Sequence, residues 1–139
     1  IIGIKEASGN IMQCMDILAN KPQNFTVVSG EDALVMPLMS LGMQGVISVT
    51  ANALPQQMSE MVNLCLKSNY KKAKIIHEEL LPFSKAIFEE GNPVGIKAAL
   101  EILGICQNNS RLPLVKSSKS LYSKIQSILN NIQLNNNQK

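Results

Sequence analysis

Long apolar runs are missing from this chain, and so is any basic stretch at its start. No apolar segment approaches the ~18 residues that a bilayer-spanning helix needs, and the first residues lack the charged n-region of a secretory leader. The expectation is a soluble, cytoplasmic protein with no membrane partner. Histidine is almost absent. His77 stands alone beside Glu78 and Glu79, a setting that is ordinarily just a solvated helix surface, so it is given no catalytic task. Three cysteines, Cys14, Cys65 and Cys106, show no metal-ligand spacing; each falls on or near an apolar stripe and reads as a buried core thiol. The net charge of +3 is unevenly spread. Beyond Val115 there are four lysines and no acid, against nine basic and ten acidic groups before it. With no arginine and one tyrosine in that stretch, the bias makes no nucleic-acid footprint. Lys67, Lys71, Lys72 and Lys74 form a second cluster that reads as a solvated face. No internal repeat appears, which excludes a solenoid.

What is present describes a globular domain. A 139-residue chain with 45% hydrophobic and 17% charged residues is long enough and apolar enough for one real core. Its most informative residue is Lys5, which closes the apolar run Ile1-Ile2-Gly3-Ile4-Lys5 and precedes Glu6-Ala7-Ser8-Gly9-Asn10. A lysine seldom sits where apolar neighbours would bury it. A solvated lysine ammonium titrates at about 10.4, so only roughly one lysine in a few thousand is a free amine at pH 7. Desolvation favours the neutral amine, a nucleophile able to attack a ketone. Two readings stand at this point: a Schiff-base lysine at the rim of a parallel sheet, or a strand-end lysine snorkelling to solvent.

Strand and helix signals then alternate. Asn10 is placed to cap a helix with Ile11, Cys14, Met15 and Leu18 on one stripe. Phe25–Ser29 reads as a strand ending in Gly30-Glu31-Asp32. A second helix carries Leu34, Leu38 and Leu41, with Pro37 delaying its regular start and Gly42 stopping it. Gly45–Thr50 is a third β-branched strand, in which Ile47 and Val49 should face one way and Ser48 and Thr50 the other. Pro55 opens a helix bearing Met58, Met61, Val62 and Cys65. This alternation predicts a parallel sheet with crossover helices over residues 1–69. Residues 70–134 carry helix signals only. One helix has Ile76, Leu80, Phe83 and Ile87 on its face and Pro82 as a kink. Another is opened by Asn92-Pro93, with Ile96, Ala99, Leu100 and Leu103 inward and Gly104 at its end. Arg111–Leu114 reads as an extended connector. A last helix from about Ser118 carries Leu121, Ile125, Ile128 and Ile132. Residues 135–139 are a polar tail.

Several segments together carry a resemblance. Gly3–Asn10, Ser29-Gly30-Glu31-Asp32, Gly45–Asn52, Asn92–Lys97 and Arg111–Leu114 closely resemble the dihydrodipicolinate synthase family of pyruvate-dependent class I aldolases, in the family's order. The sialic-acid lyases share the lysine and the barrel but lack the Ser-Gly-acid-Asp segment and the Val-Ile-Ser-Val-Thr-Ala-Asn run. The resemblance implies an α/β fold, the C-terminal part of a TIM (β/α)8 barrel: about three βα units, the sixth to eighth, followed by a helical extension. A full barrel needs about 250 residues, so the chain is expected to be part of a longer enzyme.

By the same resemblance, Lys5 is the catalytic Schiff-base lysine. Ile47 binds substrate through its backbone carbonyl beside pyruvate, and Gly30 borders the entry of the second substrate, aspartate semialdehyde. For Gly30 a plain strand-to-helix turn remains an equal reading. No metal and no organic cofactor is implied, and full-length members form homotetramers joined partly by the helices bearing Met12 and Leu41. The family's paired threonines, relay tyrosine, carboxylate-binding arginine and lysine feedback site all match no residue here. The 139 residues alone are therefore expected to be inactive; a naturally truncated, non-catalytic half-barrel and another pyruvate-dependent aldolase of the sialic-acid lyase type remain the alternatives.

Overall fold

The computed structural model describes residues 1–136. Its elements run β1 (Gly3–Glu6), α1 (Ile11–Asn20), β2 (Thr26–Ser29), α2 (Val35–Ser40), α3 (Pro55–Leu66), α4 (Tyr70–Ala86), α5 (Val94–Ile102) and α6 (Lys119–Asn136), with short 3₁₀ turns at Asp32–Leu34 and Thr50–Asn52. The chain gathers into two compact units. Ile1–Ser48 with Gln56–His77 make the first; Val49–Pro55 and the chain from Glu78 onward make the second. Of the polar tail, residues 137–139 lie outside the described residues, and α6 takes in Asn136.

In the first unit β1 and β2 pair in parallel, with Gly3 opposite Thr26, Ile4 opposite Val27, Lys5 opposite Val28 and Glu6 opposite Ser29. A parallel pair needs a crossover, and α1 supplies it. Asn10 starts α1 as expected: its side-chain oxygen accepts a hydrogen bond from the Gln13 amide at 3.2 Å. Behind the sheet, Cys14 of α1, Val27 of β2, Leu38 of α2 and Met43 form a buried cluster, flanked by Ile17, Leu18, Phe25 and Leu34. Pro37 lies inside α2, which follows the 3₁₀ turn, and Gly42 ends it at φ +110. α3 buries Met58, Met61 and Cys65. The Tyr70 hydroxyl donates to the Met39 carbonyl at 3.2 Å, tying the start of α4 to the end of α2.

Several expectations need correction. The third strand shrinks to one parallel bridge, Ser29 to Val46, held by Ser29 N–H to the Gly45 carbonyl (2.8 Å) and Ile47 N–H to the Ser29 carbonyl (2.9 Å). The backbone turns helical at Val49 (φ −81, ψ −42) and enters the 3₁₀ turn, so the alternation fails after Ser48. On α1 only Cys14 is fully buried; Ile11 and Met15 stay 42% and 43% exposed, so the buried stripe is narrower than the pattern suggested. Leu41 is also exposed, because Val35, Leu38 and Met39 form the inward side of this short helix.

The second unit is helical. Phe83, Ala86 and Ile87 are fully buried, and the Thr50 and Ser84 hydroxyls share a buried hydrogen bond at 2.9 Å. α5 packs against α6, burying Ile96, Ala98 and Ala99 on one side and Leu121, Ile125, Leu129 and Ile132 on the other. Asn92 does not cap α5. Pro93 occupies that position, its carbonyl accepting from the Lys97 amide at 3.0 Å, with no side-chain cap. Arg111–Leu114 is a turn, closed by Leu114 N–H to the Arg111 carbonyl at 3.0 Å. Ser118 caps α6, its hydroxyl oxygen accepting from the Leu121 amide at 3.1 Å. Cys106 is exposed on the loop after α5, whereas Cys14 and Cys65 are buried as expected.

Candidate active site

Side chains alternate across a strand, and in β1 the alternation sends its two charged residues to opposite faces. Lys5 leaves the front of the sheet. Glu6 leaves the back, where the buried cluster lies. Lys5 sits next to the carboxyl end of β1, the end at which parallel βα folds keep their binding sites.

On the front, Ile2, Gly3, Ile4, Lys5, Thr26, Val28 and Ile47 line an open hollow of about 360 Å³. Lys5 and Ile47, placed together by the resemblance, thus share one surface. Both are exposed, Ile47 at 57%. The desolvation of Lys5 suggested by its apolar flank is not supplied by these residues: Ile1, Ile2 and Ile4 are themselves exposed and do not fold over it.

Gly30 stands directly against Lys5. A Cβ at position 30 would come within 2.5 Å of Lys5 Cε and equally close to Ala7 Cβ. Its backbone is outside the left-handed region, so glycine is required here for space against Ala7 and Lys5. The Gly30 amide also donates to the Glu6 carbonyl at 2.6 Å, fastening the end of β1 to the end of β2.

Behind the sheet lies a group that sequence reasoning missed. Glu6 is only 5% exposed. One carboxylate oxygen accepts from the Ser8 amide (2.9 Å) and the Gln13 side-chain amide (3.1 Å); the other accepts from the Cys14 thiol (2.9 Å). Burial alone would raise the pKa of Glu6, but the hydrogen bonds from Cys14, Ser8 and Gln13 outweigh it and hold the acid below its usual value. Burial, then the bond to Glu6 and its charge, push the Cys14 thiol up to about 11. Cys14 is thus a hydrogen-bond donor and no nucleophile at neutral pH. The available signal was the spacing: a glutamate on the opposite strand face from the lysine, with donors seven and eight residues on.

These two shifts set a pH window for stability. Glu6 has a depressed native pKa, so its contribution is present above the ordinary carboxylate pKa of 4.5 and is lost as pH falls through the native value. Cys14 has a raised one, so its contribution is complete below 9.0 and is lost as pH rises toward 11. The melting temperature should therefore form a plateau between these limits. Glu6→Gln should chiefly weaken the acid limb and Cys14→Ala the alkaline limb, each touching the other limb because the two groups share a hydrogen bond, as thermal denaturation followed against pH would reveal.

Among the described residues no group of three His, Cys, Asp or Glu side chains is placed to hold a metal ion, and no helix is long and apolar enough to cross a membrane.

Fold and site together describe an α/β protein of parallel βα units with an exposed lysine, Lys5, beside the carboxyl end of a strand. The chain belongs to the dihydrodipicolinate synthetase family, whose profile matches residues 1–132. It is 45% identical over 134 residues to the 4-hydroxy-tetrahydrodipicolinate synthase of Phocaeicola vulgatus, covering 96% of this chain and 45% of that protein. Against the enzyme of the same name from Methanosarcina barkeri the identity is 48% over 126 residues, covering 90% and 43%. The crystal structure of dihydrodipicolinate synthase from Thermotoga maritima superposes with a TM-score of 0.93 at 36% identity, over 96% of this chain and 46% of that one. The chain thus spans a little under half the length of the relatives it matches, and its βα units and following helices correspond to that share of a solved family member.

Proposed function

We propose that these residues form the lysine-bearing part of a 4-hydroxy-tetrahydrodipicolinate synthase, sixth to eighth βα units of a (β/α)8 barrel plus its C-terminal helices, condensing pyruvate with aspartate semialdehyde. The observation that carries the reading is Lys5 at the strand end, opening with Ile47 onto one hollow in a chain whose relatives bear that enzyme's name.

Neutral Lys5 adds to the pyruvate ketone; loss of water leaves a protonated imine. That cation withdraws electrons from the adjacent methyl group, which gives up a proton to form an enamine. The enamine carbon then attacks the aldehyde of the second substrate, whose amine closes the ring and displaces Lys5. The Ile47 backbone flanks the bound pyruvate, and Gly30 leaves room at the entry of the semialdehyde. Lys5 is the only titratable side chain lining the hollow among the described residues. Proton relay and carboxylate binding are therefore not assigned to these lining residues, and residues 1–139 alone are not proposed to turn over substrate. Homotetrameric assembly belongs to the same reading, supported by the exposure of Met12 and Leu41; sedimentation as a monomer at micromolar concentration would contradict it.

The test is covalent. Borohydride reduction with pyruvate, on the protein as expressed from its native gene, should leave a stable adduct on the peptide containing Lys5. An unmodified Lys5 in protein that still turns over pyruvate would remove the assignment.

A further inference from the structure

Of the two charged residues in the strand pair, Lys5 is exposed and Glu6 is buried, and Glu6 has no part in the reaction as written. Its surroundings are specific. Three donors converge on it, the Ser8 amide, the Gln13 side-chain amide and the Cys14 thiol, at 2.9 to 3.1 Å. Two of the three come from the first turn of α1, itself held by the Asn10 cap and by Cys14 in the buried cluster with Val27 and Leu38.

We propose that Glu6 is a positioning residue: its carboxylate pegs the end of β1 to α1 from behind the sheet and thereby fixes the direction in which Lys5 leaves the front. This rests on the reading of Lys5 as an imine-forming amine. Neighbouring side chains of a strand point to opposite faces, so a strand end that cannot roll at Glu6 cannot swing Lys5. Along its edge β1 is bonded to β2 by backbone alone, ending in the Gly30 amide to Glu6 carbonyl bond. The carboxylate adds a side-chain tie from the end of β1 to Gln13 and Cys14 of α1, and the Gly30 backbone lies against the lysine stem on the other side. A reacting group has to be held to within about half an ångström by neighbours that are themselves locked, and here the lock is the core of the first unit.

A carboxylate suits the task because all three partners donate and a carboxylate only accepts. Glutamine keeps one oxygen for Ser8 and Gln13 and turns its amide toward Cys14, whose sulfur then accepts weakly. Leucine offers nothing.

The experiment is the rate of borohydride trapping of pyruvate on Lys5 at saturating pyruvate, in the protein as expressed from its native gene, well below its melting temperature. Glu6→Leu should slow trapping by ~10²-fold, the scale of a misplacement near 1 Å, while label at completion and the far-UV spectrum stay those of the parent. Glu6→Gln should restore the rate to within about tenfold of the parent, a rescue expected because it keeps part of the hydrogen bonding. A purely structural carboxylate would lower the melting temperature and leave the trapping rate of folded protein unchanged; that result overturns the proposal and leaves the imine reading standing. No label on Lys5 in the parent protein overturns both. Should Glu6→Leu not fold, Cys14→Ala carries the test. Removing one donor of three should slow trapping by about three- to tenfold, and an unchanged rate there refutes the peg.

Discussion

Lys5→Arg should abolish turnover and pyruvate trapping together. A guanidinium stays protonated at any pH the protein survives, so it never presents the free amine that must add to the ketone. Loss of a covalent nucleophile costs on the order of 10⁴–10⁶-fold in rate, and here the step has no bypass, because the enamine exists only after the imine has formed. The substitution keeps the charge at an exposed position, so the fold should be untouched. A steady-state assay with pyruvate and aspartate semialdehyde, run beside mass spectrometry of the reduced adduct, checks both losses at once. Residual activity above a hundredth of the parent would mean that another group carries the chemistry.

Gly30→Ala should also slow the reaction, by less than Lys5→Arg does, at a small cost to the fold. The added methyl would meet Lys5 Cε and Ala7 Cβ, each at 2.5 Å. The lysine stem is flexible and gives way, taking the amine with it. Ala7 Cβ is attached directly to backbone and must move the loop after β1. Displacing a reacting atom by about 1 Å costs on the order of 10²-fold. The expected signature is a trapping rate down by that factor with a melting temperature only slightly lowered. Unchanged trapping kinetics would show that Lys5 does not need the space that glycine leaves.

Local signals were legible wherever short-range physics decides the outcome. The Asn10 cap, Pro55 at the start of α3 and the stripe of Leu121, Ile125 and Ile132 all form as their spacing predicts. Lys5 at a strand end was legible because an ammonium closing an apolar run is costly anywhere else. Contacts that depend on a distant neighbour were not. The run from Gly45 to Thr50 has strand composition, yet it bridges only Ser29 before the backbone turns helical at Val49; β-propensity cannot report that a ladder ends early. The sequence carried no reading of Glu6's burial, which becomes visible only with α1 folded behind the sheet. Exposure of Ile11, Met15 and Leu41 was hidden for the complementary reason: a periodic apolar pattern states which side of a helix is apolar, not which part of it is covered.

The opposed directions of Lys5 and Glu6 also bear on how the strand pair finds its alignment. Because the side-chain period is two, a slip of β1 by one residue would exchange the two faces wholesale. The ammonium would then be driven among Cys14, Val27 and Leu38, and the carboxylate would forfeit its donors on α1, Gln13 and Cys14. Both errors are penalised by the same misstep, and neither can be relieved without undoing the other. An adjacent pair of opposite charges would thus disfavour a misaligned register of the strand pair.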